Sequence, residues 1–502
     1  MKQLYININR ILAALSIVLP LNVRAQPPVR LSLSMVIDTL TLEAPSAQIQ
    51  RLSFENELLQ FENYKKGFLP SVSINMSPVS FNRSIVKLQQ ATDGQYNYVE
   101  DYSSNSSAGV SVSQKIPFTG GTLSANSSLN YLNELSRNRQ SFSSTPYAFS
   151  YSQQLFGGGK TMRMEKTIEY KRNEEKIKTY CKSVSGIQQK ALGFFMSAFL
   201  ASLEKAQSSA NRQATDSLFR IAKVRYENKR ITESDFKQIE LQTVNNEYLE
   251  ENADKHFDDA LRSLATFLNL TGNYRNTVIE TPEFTLPLKV NLEIVRIYVK
   301  ENNPAMLNRE IRRLEAEKSR YASEHQNRFN ANINMSYGTN QYAKSIMDVY
   351  SSPSRQQGVS VGLSIPFSMW GISRNTARMA KNNYRSSIIS LESEIEEFEN
   401  EIDRTVNSYN HNINLWRIAE RSYHLAQEQY KLTVQEFAMG RSSVYELIAS
   451  QQEQANAMQK YYTAVRDAYD SYYKLRELTL YDFEKNTDLI NLFIHNKRPA
   501  SF

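Results

Sequence analysis

The segment most suggestive of chemistry is Gly157-Gly158-Gly159-Lys160-Thr161, a glycine run followed by Lys-Thr. Between a strand and a helix, such a run imitates a phosphate-binding loop, whose backbone N–H groups cradle phosphates while the lysine reaches the outer ones. That loop also needs a glycine five positions before Gly159, where Gln154 stands. A corner that uses the φ freedom of glycine explains the run without a nucleotide. The five histidines, His256, His325, His411, His424 and His495, show no metal-ligand spacing such as two on one helical face. Neither a nucleophile elbow nor a zinc-protease motif occurs. Cys181 sits at helical spacing among Ile177, Tyr180 and Val184 and reads as a small core residue. With no convergent set of His, Cys or carboxylates, no catalytic, cofactor or metal site is expected, and an enzyme is set aside.

Two acids stand in equivalent settings. Thr232-x-x-Asp235 and Ser443-x-x-Glu446 both read as capping boxes, in which the acid satisfies an orphan backbone donor at a helix start. Each follows a short break in a long helical stretch, Asn228-Lys229-Arg230-Ile231 and Met439-Gly440-Arg441-Ser442. Arg225, Lys229, Arg230 and Arg441 make both breaks basic. Solvated charge that complements helix dipoles is the plain reading; docking of a partner, or closure against neighbouring acids, is the functional one.

These two settings are equivalent because the chain contains its architecture twice. An offset of 259 carries Ile74-Asn75-Met76-Ser77 onto Ile333-Asn334-Met335-Ser336, Leu33 onto Leu292 and Pro45 onto Pro304. An offset of 211 carries Phe156 onto Phe367, Ile177 onto Ile388, Phe219-Arg220-Ile221 onto Tyr430-Lys431-Leu432, and Asp235 onto Glu446. The offsets differ by 48 residues, an insertion in the first copy only. A period this long marks a duplicated domain and not a stacked solenoid. The implied organisation is a signal peptide over 1–25, a first repeat over 26–285, a second over 286–485 and a C-terminal tail over 486–502.

Compartment limits what the repeats can be. Lys2 and Arg10 precede an apolar stretch from Ile11 to Leu21, and Val23-Arg24-Ala25 forms a small-residue cleavage site, the pattern of a secretory signal. The apolar stretch is too short to span a bilayer. Cleavage after Ala25 removes three cations and lowers the formal charge from +7 to +4. One cysteine excludes an intramolecular disulfide. A secreted chain of this size then needs a large core, long coiled helices or a membrane barrel.

Two periodicities alternate. Period two runs through Val72, Ile74, Met76; Val110, Val112; Leu123, Ala125, Leu129, Tyr131; Tyr147, Phe149, Tyr151; Phe329, Ala331, Ile333, Met335, Tyr337; and Val359, Val361, Leu363, Ile365, Phe367, with Ser, Asn, Gln and Gly between. One apolar and one small polar face suit a transmembrane barrel, although a soluble sandwich shares the alternation. Strands are expected within 68–156 and 327–367, four in the first copy and two in the second. Pro78–Ala108 and Gly338–Gln357 read as long polar loops, and Thr119-Gly120-Gly121 as a tight turn. Elsewhere apolar residues recur at helical spacing, with hairpins over 160–270 and 371–485 and shorter helices over Leu31–Lys66 and Asn291–Arg328. Ile418, Leu425 and Leu432 fall seven apart, a coiled-coil seam.

The duplicated helix, strands and long-hairpin plan resembles the TolC-like outer-membrane efflux protein family. The resemblance covers nearly all of the mature chain. It rests on the plan itself, on the strand exits at Phe156-Gly157-Gly158 and Phe367-Ser368-Met369, and on the breaks Arg225-Tyr226-Glu227-Asn228-Lys229 and Glu436-Phe437-Ala438-Met439-Gly440. It implies an α+β membrane protein: a homotrimer sharing one transmembrane β-barrel, which continues into a long periplasmic α-helical coiled-coil tunnel. Outer-membrane lipid, a periplasmic adaptor and an inner-membrane transporter are the implied partners; nucleic acid is not among them. The implied location is the outer membrane with a large periplasmic portion, and the implied function is the passive exit duct of a tripartite efflux pump or type I secretion system. A non-conducting, membrane-anchored coiled-coil scaffold or adhesin is the alternative.

By the same resemblance Asp235 and Glu446 line the periplasmic constriction, and Arg225, Tyr226, Lys229, Arg230, Phe437, Gly440 and Arg441 form the tip that meets the adaptor. A second acid three residues after Glu446, typical of the family's best-known member, is replaced by Ala449. Lys229 stands where the family usually has the glycine seen at Gly440, which predicts a looser first tip. The inserted strand pair exceeds the usual four strands per chain, and would either widen the barrel or form a separate flap.

Overall fold

The computed structural model describes residues 30–89, 94, 96–270, 277–282, 285–287, 289–326, 330–364 and 371–495. The signal segment, the strand exit at 367–369 and the C-terminal Phe502 lie outside the described residues. The chain divides into two compact units, one of residues 45–189, 285–430 and 456–502, the other of residues 1–44, 190–284 and 431–455.

The first unit holds a six-stranded antiparallel sheet whose spatial order follows the chain. Its strands are β1 (Ser71–Gln89), β2 (Tyr96–Lys115), β3 (Thr122–Glu134), β4 (Arg139–Gln154), β5 (Asn330–Ala343) and β6 (Ser354–Ser364). Four come from the first repeat and two from the second, and β4 pairs with β5 to join them. Because side chains alternate across a pleated strand, the register sorts them into two unlike faces. Val72, Val112, Ala125, Phe149 and Tyr337 stand in one row across the strands, and Ser71, Ser113, Ser124, Ser150 and Ser336 in the next. Hydroxyls bridge the second face at Ser71–Ser113 (2.8 Å), Ser73–Ser111 (2.7 Å) and Ser124–Ser150 (2.6 Å). Such cross-strand pairs contribute roughly 0.2–1 kcal/mol each.

The polar stretch 78–108, expected as a loop, is mostly strand. β1 continues to Gln89 and β2 resumes at Tyr96, so their upper parts form a two-stranded ribbon beyond the reach of β3. Cross-strand contacts hold it: Arg83 pairs with Glu100 at 2.8 Å, and Phe81 meets Tyr102 edge-on at 5.1 Å. The other expected loop is confined to 344–353, flanked by β5 and β6. Its Val349 is buried, and its carbonyl accepts from Ser144 Oγ at 2.6 Å.

Proline punctuates both helices that lead into the sheet. The chain before α1 (Pro45–Lys66) contains a π-helical turn (Met35–Leu40) and ends extended at Ala44, with ψ 146°. In the second repeat α4 (Leu292–Asn302) is cut from α5 (Pro304–Gln326) at Asn303, with ψ 127°. A residue before proline is driven out of the helical region, so each expected single helix is two pieces. In the label order of the chain, α2 (Gly158–Glu227) and α3 (Glu233–Leu268) form the first long hairpin. The second is α6 (Ile372–Ala438) and α7 (Val444–Thr479). At 70 residues α2 is about 105 Å long for a rise of 1.5 Å per residue. Both α3 and α7 have 36 residues and end on a left-handed residue, Asn269 (φ 54°) and Leu480 (φ 50°). No described helix is long and apolar enough to cross a membrane.

The core of the sheet-bearing unit includes Cys181, buried as expected, with its thiol pushed up to about 12 by burial. After α7, Asp482 accepts from Tyr472 Oη (2.6 Å) and from the backbone of Glu484 and Lys485, and faces the buried Arg476 at 3.4 Å. The expected tail is folded as far as α8 (Leu489–His495), whose Leu489 and Phe493 are buried.

In the other unit, Phe194 packs on Phe267 at 4.9 Å, and Asn246 donates to Thr215 between α2 and α3 at 2.6 Å. Arg212 reaches Glu250 at 2.9 Å and Glu247 at 3.3 Å. Arg30–Leu31 pairs in parallel with Val278–Ile279.

The β4–β5 seam depends on a glycine. Pro146 has no N–H to give to the ladder, and the register slips between Ser144 and Ala148. The resulting bulge presses on Gly338, where an added Cβ would lie 2.7 Å from Tyr147 O and 2.8 Å from Ala148 Cα. Both obstacles are backbone or backbone-proximal, so Gly338→Val is expected to unzip the joint between the repeats. Gly362→Ala, whose added Cβ would meet only Asn332 O at 3.9 Å, is the control. Yield of assembled, protease-resistant protein should fall at least several-fold for the first variant and stay near wild type for the second.

Candidate functional site at the helical tips

The sequence places both tips by the same device. At the first, Arg230 N–H donates to Arg225 O (2.8 Å) and Lys229 N–H to Tyr226 O (2.9 Å). At the second, Arg441 N–H donates to Glu436 O (2.9 Å) and Gly440 N–H to Phe437 O (3.0 Å). This is the Schellman arrangement, which requires a left-handed residue just past the helix. Gly440 supplies it at φ 74° and Lys229 at φ 56°. The looser first tip predicted from Lys229 is therefore not found. The paired hydrogen bonds hold the lysine in a conformation that costs a residue with a Cβ roughly 1–2 kcal/mol.

Both acids cap the helices that follow. Asp235 Oδ2 accepts from Thr232 N–H (3.2 Å) and its hydroxyl (2.8 Å), and Asp235 N–H donates back to Thr232 Oγ1 (3.1 Å). Glu446 Oε2 accepts from Ser443 N–H (2.8 Å) and Ser442 Oγ (2.9 Å), while Glu446 N–H donates to Ser443 Oγ (3.2 Å). The Ser443 backbone donor, followed by the two serine hydroxyls, holds the Glu446 carboxyl below the usual carboxylate range.

Aromatic packing fixes the hairpins. Tyr226 stacks on Phe236 at 5.0 Å and 9°, and Phe219 lies on the same ring at 5.6 Å. Phe437, at the position equivalent to Tyr226, is buried, and the Arg225 guanidinium sits over its ring at 5.4 Å. That contact ties one repeat's tip to the other's. Arg230 and Arg441 stand exposed. Phe219 and Phe236 were not singled out from sequence; the match of Phe219 to Tyr430 at the 211 offset was the available signal for the first.

The glycine run has a different use. Gly157 takes φ 86° where β4 turns into α2, and Lys160 lies over the Tyr321 ring at 4.3 Å. The β2–β3 turn docks on the next two glycines: an added Cβ on Gly159 would lie 3.2 Å from Phe118 O, and Gln153 Nε2 donates to Thr119 O at 2.8 Å. The second repeat has no inserted pair, and at the matching offset its sequence is Ser368-Met369-Trp370. The glycines make room for the insertion. Among the described residues, no group of three or more His, Cys, Asp or Glu is placed to hold a metal ion.

Two measurements test the tip geometry. Lys229→Gly removes a side chain from a left-handed position and should stabilise the first tip by about 1 kcal/mol, read as slower amide exchange at 225–236. For Glu446 the folded form favours the carboxylate, so its stabilising effect is complete above the ordinary value of 4.5 and disappears as pH falls through the lowered one. Exchange at the start of α7, corrected for intrinsic rates, should therefore accelerate in acid, and Glu446→Gln should abolish that pH dependence.

The comparisons with known proteins concern the fold. A sequence model described as outer membrane efflux protein matches residues 298–479, from within α4 to the end of α7. A search of curated proteins finds no match. Among solved structures, a membrane protein from Pseudomonas aeruginosa is similar with a TM-score of 0.65 at 13% identity, covering 92% of this chain and 93% of that one. The Campylobacter jejuni CmeC outer membrane channel gives 0.64 at 11%, covering 94% and 90%. The open state of the Neisseria gonorrhoeae MtrE outer membrane channel gives 0.57 at 13%, covering 89% and 88%. Residues 298–479 thus match the outer membrane efflux protein model, and over most of its length the chain has the fold of the solved outer membrane channels.

Proposed function

We propose that three copies of this chain form an outer-membrane channel, the passive exit duct of a tripartite efflux pump or type I secretion system. The observation that carries this reading is the sheet: one face apolar, one face Ser, Asn and Gly, and both edge strands bare among the described residues. On the apolar face Val72 is 66% exposed and Val359 is 73% exposed, a surface suited to lipid. Exposed aromatics flank it, Phe118 and Phe156 at the helix-bearing end and Tyr96 and Tyr98 at the other, as interfacial girdles do. Pairing of β1 with β6 of the next copy closes the wall. The α6 residues Ile418, Leu425 and Leu432, all exposed in one chain, supply a heptad seam for the tunnel.

The channel performs no chemistry in this account. Its tips form the periplasmic gate. Asp235 and Glu446 place carboxylates at the helix starts, where they cap and, in the trimer, give the mouth an anionic lining. Arg230 and Arg441 offer exposed cations to a periplasmic adaptor, which couples the duct to an inner-membrane transporter. Moving one hairpin away from the other breaks the Arg225–Phe437 contact. A cation–π pair stabilises by about 0.5–2 kcal/mol, more as it is desolvated, roughly a two- to thirtyfold shift in the open population per contact.

Planar-bilayer recording tests the reading. The purified protein should be trimeric and conduct, with Arg225→Ala raising the open fraction and Glu446→Gln weakening cation preference and block by multivalent cations. A preparation that passes no current points to the scaffold alternative. Unchanged selectivity in Glu446→Gln leaves that residue only its capping role.

A further inference from the structure

We propose that the inserted β2–β3 pair is part of the pore wall, so that the outer-membrane section is an eighteen-stranded, uncharged conduit wide enough for bulky hydrophilic solutes. This rests on the trimeric-channel reading above, and extends it to the size and charge class of cargo that this section admits.

The pair is not a flap. β2 is hydrogen-bonded to β1 on one side and β3 on the other, and β3 to β2 and β4. Either strand leaves only by breaking two ladders. The turn between them is tied to the end of β4 by the bond from Gln153 to Thr119 O. Gly158 and Gly159 provide the room for it, with an added Cβ on Gly159 only 3.2 Å from Phe118 O.

Width follows from strand number. Strands about 4.8 Å apart and tilted about 40° each occupy roughly 6.3 Å of circumference. Three copies of the six-stranded sheet then give a backbone diameter of about 36 Å, against about 24 Å for three four-stranded sheets lacking the pair. Allowing about 5 Å per wall for side chains, half the spacing of stacked sheets, leaves roughly 26 Å against roughly 14 Å. An α-helix with side chains is about 10–12 Å across. The narrower pore would therefore admit a single helix, and the wider one a pair side by side or a comparably bulky hydrated polymer.

The face that would line this space is small and neutral. Its rows run through Ser73, Asn75, Ser111, Gly109, Asn126, Ser128, Asn334, Ser336, Gly358 and Ser360. Among the described residues of this face, charge is confined to Lys115 at the helix-bearing end and to Asp101, Glu134 and Arg139 at the other. With no fixed charge between those rims, the wall offers hydroxyl and amide hydrogen bonds and little discrimination between ions. Selection by charge is left to the tips.

Single cysteines in the full chain test this in intact cells, because the native Cys181 is buried. Maleimide-poly(ethylene glycol) of graded size is the probe, applied from outside. Asn126→Cys, on the polar face of the inserted β3, should label with polymers up to about 20 Å in hydrodynamic diameter, below the estimated lumen. Leu123→Cys, on the apolar face of the same strand, should resist the aqueous probe and react with a lipid-soluble maleimide. Val361→Cys, on the apolar face of β6, reports on the underlying reading. If Val361→Cys labels freely from water, the membrane assignment itself fails. If it is protected while both β3 positions label equally, the pair is a flap and the proposal is overturned. The proposal also fails if Asn126→Cys reacts only with polymers below about 14 Å, the limit of a twelve-stranded wall.

Discussion

A backbone N–H or carbonyl left unpaired in lipid costs several kcal/mol, which is why sheets cross membranes only as closed barrels. Here β1 and β6 are the outer strands of one sheet, and among the described residues each presents an unpaired edge. The apolar face deepens the problem, since Ile74, Met76, Val359 and Val361 are all exposed in a single chain. Water disfavours that face and lipid disfavours those edges. Copies of the chain closed into a ring within lipid would remove both penalties at once, and the same ring would bring the exposed heptad residues of α6 against neighbouring helices. The channel reading follows from this one conflict.

Duplication would make such a ring regular. The 211-residue offset carries Glu233–Leu268 onto Val444–Thr479, and it carries the left-handed Asn269 onto Leu480. It also carries Lys229 onto Gly440, with matching terminal hydrogen bonds at the two tips. The side chains differ while the backbone solution persists: a lysine and a buried leucine adopt φ values that glycine or asparagine would accept more easily. Hairpin geometry has therefore outlasted the residues that most readily support it. The repeats diverge at the junction of sheet and helix, where the first must accommodate an additional turn beside Gly158 and Gly159.

Much of this was legible in the residues. Period two is legible where one face is apolar and the other Ser or Asn, as at Val72, Ile74 and Met76, and the 48-residue difference between the offsets reads there as an added strand pair. The capping boxes were visible because Thr232 and Ser443 each stand three residues before an acid. The ribbon at the top of β1 and β2 was not, since Ser, Asn and Tyr are as common in loops as on a polar strand face, and only pairing with the opposite strand distinguishes them. The conformation of Lys229 is not legible from its side-chain preference, because the two hydrogen bonds at the helix end override it. The Arg225–Phe437 contact lies between repeats, where no local pattern could indicate it. The glycine run reads as a corner from its residues, but the turn it accommodates is a tertiary fact.

Hydrogen–deuterium exchange on the membrane-reconstituted protein tests the central claim most directly. If copies close the sheet, amides of β1 over 71–77 and of β6 over 354–364 should be as protected as those of β3 in the middle. Rapid exchange along either outer strand, with β3 still protected, would mean that the edges stay open, and a closed wall built from this chain would be contradicted.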